Sequence, residues 1–93
     1  MKMYLHLGQD TIVMTQKIVG VFDLDNSTVS KKTRDFLAKA QREGRVITVT
    51  NELPKSFIVC AGEERETVYL SQMSPATLLR RARDGFKNPE NTH

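Results

Sequence analysis

The chain has 93 residues, 39% hydrophobic and 27% charged, with a net charge of +3; that is apolar material enough for one small globular domain and too much for a disordered chain. A single cysteine excludes an internal disulfide and a cysteine-rich zinc site, so a domain expected to bury only about 60–65% of its unfolded surface lacks both staples, and self-association is the expected substitute. No run of about 18 apolar residues occurs and the opening "MKMYLHLGQD" has no apolar core of signal-peptide length, which points to a reducing, cytoplasmic setting with no membrane partner.

Along the chain, Tyr4, Leu5 and Leu7 open a short extended segment, Gly8-Gln9-Asp10 reads as a turn, and Thr11 to Met14 forms a second strand able to pair back as a hairpin. "KIVGVFDL", Lys17 to Leu24, is rich in β-branched residues and apolar on both faces, the pattern of a central strand. Asp25, Asn26, Ser27 and Thr28 offer helix N-caps. From Val29 to Arg42 no Gly or Pro interrupts, and Val29, Thr33, Phe36, Leu37 and Ala40 make one helical stripe that Gly44 should end. Val46 to Thr50 and Phe57 to Ala61 read as strands. A charged turn, Gly62 to Arg65, leads into "ETVYLSQ", with Val68 and Leu70 on one face and Tyr69 on the other. Ser74 as N-cap and Pro75 at the first helical position start a second helix whose apolar stripe is Leu78, Leu79 and Ala82, with Gly85 at its end. The order β-β-β-α-β-β-β-α predicts a single α+β domain over residues 1–86, mostly antiparallel, followed by a polar, disordered tail at 87–93.

The residues "LHLG" at 5–8, "IV" at 12–13, "KIVGVFD", "AQREGRVI" at 40–47, "FIVC" at 57–60, "VYLS" at 68–71 and "SPATLLRR" at 74–81, in this order and spacing, resemble the Rem family of bacterial extracellular matrix regulatory proteins, closer to its RemB type than to its RemA type. The resemblance implies a small α+β protein that closes into homo-oligomeric rings, binds DNA around the rim and acts in transcription of biofilm matrix genes. The RemA type presents arginines from the start of the strand that here reads "KIVGVF" and from the turn that here reads "TNELPKS". Lys17 occupies the first place and Lys55 a basic position in the second, whereas the arginine pair of the turn is replaced by the neighbourhood of Glu52, Leu53 and Pro54.

Charge is segregated along the chain. Residues 28–45 carry six cations against two carboxylates, a net +4, and residues 75–93 a net +2, so the remainder is −3; a local field of this kind attracts a polyanion although the total is small. Solvated lysine and arginine faces are also ordinary on soluble helices. Arg34 and Arg42 on the first helix, and Arg80 and Arg81 on the second, fall mostly away from the apolar stripes and join Lys17 and Lys55 as candidate phosphate contacts. No aromatic platform for single strands is evident, so double-stranded DNA is the expected partner. For Lys55 the simpler reading is a solvated turn residue, with phosphate contact next. The exposure expected of the turn leaves little desolvation to make it a catalytic amine.

Cys60 ends the run Phe57-Ile58-Val59 and reads as a small buried hydrophobe, with His6 and His93 both remote in sequence. Asp23 and Asp25 could form a two-carboxylate Mg²⁺ site, but with neither a third acid nor a phosphate-cradling loop nearby, helix capping is the simpler role. His6 reads as a packed or interface side chain, and Glu63, Glu64 and Glu66 as a solvated turn. No nucleophile–base pair stands out. The expectation is therefore a regulator without an enzymatic step, cofactor, metal or small-molecule substrate. The alternative is an oligomeric interaction protein that does not bind DNA.

Overall fold

The computed structural model describes residues 3–24 and 30–84. Two strands, β1 (Tyr4–Gly8) and β2 (Thr11–Met14), form an antiparallel hairpin. After a short 3₁₀ turn at Thr15–Lys17 come β3 (Ile18–Asp23), α1 (Lys31–Arg42), β4 (Val46–Thr48), β5 (Ser56–Cys60), β6 (Thr67–Ser71) and α2 (Pro75–Asp84). The last four strands make a sheet of order β3-β5-β6-β4, antiparallel except where β4 runs parallel to β6. This is the expected α+β architecture and element order.

β5 is the spine. All five of its residues are buried, because successive side chains of a strand face opposite sides and both sides of this one are covered. Ile58 and Cys60 pack with Leu5, Leu7, Val13, Leu78 and Ala82, so the hairpin and α2 form one layer. Phe57 and Val59 pack with Val68, Phe36, Leu37 and Ala40, so α1 forms the opposite layer. The division of Val68 and Leu70 from Tyr69 along β6 follows the predicted alternation. At the end of this ladder Ser56 lies opposite Ser71, both fully buried. Each is satisfied: the Ser56 hydroxyl donates to the Met73 carbonyl and the Ser71 hydroxyl to the Leu7 carbonyl, both at 2.7 Å, and the second bond ties the hairpin to the sheet.

The helix ends follow local chemistry. Ser30, not the Asp25–Thr28 group, is the N-cap of α1: it is extended, and its hydroxyl accepts the Thr33 N–H at 3.1 Å. Residues 25–29, with four proposed caps, Asp25 of the candidate carboxylate pair and the predicted first turn at Val29, lie outside the described residues. So do Gly85 and the tail at 87–93. Gly44 has φ +72°, and the Gly44 and Arg45 amides return to the carbonyls of Gln41 and Ala40, the Schellman arrangement that glycine favours. Ser74 caps α2 through the Thr77 N–H at 3.2 Å. Gly8 is required because a Cβ there would stand 2.8 Å from the Val49 carbonyl oxygen.

Two expectations are corrected. β3 is an edge strand and not a central one; its apolar residues on both faces include Val19, 67% exposed, and Phe22, whose ring stacks on Phe57 at 4.8 Å but stays 38% exposed. Leu79 does not join the buried stripe of α2 and is 59% exposed, because Leu78 and Ala82 alone face the core.

Part of the predicted positive charge is structural. Arg45 bridges Glu43 at 2.7 Å, donates to the Glu66 carbonyl at 2.7 Å and lies over the Phe36 ring, while Arg65 reaches Glu43 at 2.8 Å. Glu66 also faces Arg45, 3.7 Å away, so the acidic turn is partly tied down and not wholly solvated. The Arg45 hydrogen bond, helped by Arg65 and opposed by burial, holds the Glu43 carboxyl below its ordinary range. A lowered folded value means that this contribution is complete above the ordinary glutamate pKa, about 4.3, and lost as pH falls through the lowered one. Urea unfolding as a function of pH should therefore show a shallower acid loss of stability in Glu43→Gln than in the parent; parallel curves would remove the network from the acid response.

Candidate nucleic-acid interface

The six candidate cations occupy three places. Lys17 ends the 3₁₀ turn immediately before β3, and its carbonyl accepts the Ala61 N–H at 2.7 Å. Lys55 precedes β5, and its backbone is held on both sides, with its N–H on the Ser71 carbonyl and its carbonyl accepting the Leu24 N–H, each at 2.8 Å. The turn leading to it is organised by Thr50, a buried residue whose hydroxyl accepts the Glu52 N–H at 2.9 Å. Leu53 within that turn is 84% exposed. Both lysine side chains are exposed, on backbones fixed by the sheet.

These lysines are not neighbours. The register sets Ile18 opposite Cys60 and Asp23 opposite Ser56, which places Lys17 and Lys55 at opposite ends of the β3–β5 ladder. Six residue steps along β5 separate them, about 20 Å at the rise of an extended strand. Arg34 and Arg42 are exposed on α1, on one side of the sheet; Arg80 and Arg81 are exposed on α2, on the other. One subunit therefore does not gather the six into a single patch. None of the six makes an ion pair among the described residues, in contrast to Arg45, Arg65 and Lys31, the last bound to Asp35 at 3.0 Å. Free cations fixed at the ends of a rigid ladder suit phosphate contact, because release of bound counterions, and not base reading, supplies the binding energy.

The other candidate chemistry is placed as follows. Cys60 is 4% exposed and burial pushes its thiol pKa up, away from the reactive thiolate. His6 is exposed on β1, its Nε2 hydrogen-bonded to the Gln9 carbonyl. Among the described residues no three His, Cys, Asp or Glu side chains are grouped to hold a metal ion. Nor is any helix among them long and apolar enough to cross a membrane. The feature that sequence reasoning missed is the exposed edge of β3: a mostly apolar groove of about 280 Å³ lies along one face, lined by Val19, Phe22, Phe36 and Val59 together with Thr33, Lys32 and Glu66. A second of about 370 Å³ lies along the other, lined by Leu5, Ile18, Val21, Leu78 and Leu79. The both-face apolar pattern of "KIVGVFD" was the available signal.

Residues 4–82 match the family model RemA-like, described as extracellular matrix regulatory protein A-like. The chain is also similar to extracellular matrix regulatory protein B of Bacillus subtilis (strain 168), with 36% identity over 85 residues that span 91% of this chain and 96% of that protein. With most of the chain covered in both comparisons, it belongs to the RemA-like family of extracellular matrix regulatory proteins.

Proposed function

We propose that this protein is a cytoplasmic regulator of extracellular matrix gene transcription that binds duplex DNA as a ring-like homo-oligomer. The observation that carries the reading is the pair Lys17 and Lys55: exposed side chains, on backbones fixed by the sheet, with no ion-pair partner among the described residues. Each supplies one phosphate contact, and two contacts bind weakly. Repetition around a ring lets several copies engage one duplex, and each further contact then forms at high effective concentration. Avidity does the work of a recognition helix. Arg34, Arg42, Arg80 and Arg81 are reserve contacts on the two helix faces.

A second reading, an oligomeric interaction protein without DNA affinity, is favoured by the turn at 50–55, where Glu52, Leu53 and Pro54 stand in place of arginines and Leu53 is 84% exposed. Light scattering during titration with a short duplex separates the two. The DNA-binding reading expects an assembled particle whose mass rises with duplex at low salt; an assembled particle that takes up no duplex supports the interaction protein.

A further inference from the structure

The four-stranded sheet ends on β3 and on β4, and among the described residues neither has a strand on its outer side. Edges of natural monomers are commonly charged or covered, because an open apolar edge is a template for another strand. Here the interiors of both, Ile18 to Phe22 and Val46 to Thr48, are uncharged. Both expose apolar side chains, Val19 and Phe22 on β3 and Ile47, 44% exposed, on β4.

The two edges match in direction, hydrogen bonding and face. β3 is antiparallel to β5, β5 is antiparallel to β6, and β6 is parallel to β4, so β3 and β4 run the same way. On β4 the Arg45 carbonyl and the Val49 N–H bond to β6, and alternation turns the peptide groups of Val46 and Thr48 outward. On β3 the Leu24 N–H bonds to the Lys55 carbonyl, and the same alternation turns Val21 outward. Val21 lies on the α2 side of the sheet, as does Ile47, which sits between Val46 on the α1 side and Thr48. We propose that β4 of one copy pairs in parallel with β3 of the next, Ile47 beside Val21 and Thr48 beside Phe22. In that register the peptide groups of Val46 and Thr48 both meet Val21, and Ile47 enters the groove lined by Ile18, Val21, Leu78 and Leu79. Sliding β4 by two residues sets Ile47 against the bulge at Val19 or beyond the apolar stretch.

The same register decides what the contact builds. Within one chain Val21, Ile58, Tyr69 and Ile47 already form a single row across the sheet. Joining Ile47 to Val21 of the next copy continues that row without a step along the strands, so repetition is a rotation about an axis parallel to them. A contact between two different surfaces closes into a ring under such a rotation, whereas a stepped one would climb into a filament. This is the argument for a second copy as occupant: a foreign strand on β3 leaves β4 open, while one repeated contact covers both edges of every copy. The inference rests on the ring-like assembly of the proposed function and names its interface. Lys17 precedes the paired stretch and Lys55 stands at the far end of β5, so both stay uncovered. The rotation sets them in two circles, one at each end of the strands.

Ile47→Lys tests the contact on the full chain, since a half-exposed edge side chain can be replaced without opening the core. Light scattering should give the parent at a multiple of the chain mass and the variant at one chain mass, with an unchanged circular dichroism spectrum. A parent at one chain mass overturns the assembly and the contact together. A parent that assembles beside an Ile47→Lys variant that assembles equally overturns the contact alone and leaves the ring and its DNA binding standing. Oxidative cross-linking gives a readout that does not depend on the introduced charge. In Val21→Cys/Ile47→Cys the two thiols of one chain are three strand spacings apart, about 14 Å and too far for a disulfide. Oxidation should therefore link chains into a ladder on a denaturing gel that neither single variant gives, the native Cys60 being buried. No ladder from the double variant, or a linked dimer from Ile47→Cys alone, would overturn the pairing.

Discussion

Lys17→Glu/Lys55→Glu is expected to weaken duplex binding at low salt by roughly 100-fold or more, because each protomer loses two phosphate contacts and gains two repulsions, and the loss recurs in every copy that touches the duplex. The fold should be unaffected, as both side chains are exposed and neither is ion-paired among the described residues. Single reversals should fall between the double variant and the parent. Arg80→Glu/Arg81→Glu, on the α2 side, should change affinity much less. Gel shifts over a salt series check this, and unchanged affinity in the lysine double variant would remove both lysines from the interface.

Phe57→Ala should cost about 3–5 kcal/mol of stability, the range for truncating a buried aromatic. Phe57 is fully buried on the α1 side of β5 and stacks against Phe22 with an interplanar angle of 15°. Small domains have only about 5–15 kcal/mol in total, so the variant should be largely unfolded in mild denaturant where the parent is native. Its effect should reach β3, which rests on that stack. Guanidinium unfolding followed by circular dichroism measures the loss, and a shift below about 1 kcal/mol would contradict the packing described for this face.

Elements with strong local signals were legible in the sequence. Gly44 in the left-handed conformation, Ser74 and Pro75 at the start of α2, and the alternation of Val68, Tyr69 and Leu70 all act through nearby chain, and the structure places each as expected. β3 was misplaced for a physical reason. Apolar residues on both faces mark burial on both faces, and the pattern is the same whether the chain's own strands or another molecule provide the cover. Leu79 was misassigned because it neighbours Leu78 in sequence, while only one helical face meets the hairpin. Arg45 was counted in the basic tract at 28–45, yet Glu43 two residues before it and Glu66, brought alongside by the parallel pairing of β4 with β6, bind it, which composition does not reveal. The separation of Lys17 from Lys55 was likewise invisible until the register of β3 on β5 fixed it.

The central claim, that DNA is held by repeated phosphate contacts of an assembled particle, is tested most directly by the affinity of the parent protein for a short duplex as a function of salt. The account predicts that log K falls linearly with log salt with a slope of about 0.9 per phosphate contact, well above the value for one protomer and similar for unrelated duplex sequences of the same length. An assembled protein with no measurable duplex affinity at low salt, or an affinity insensitive to salt, would contradict it.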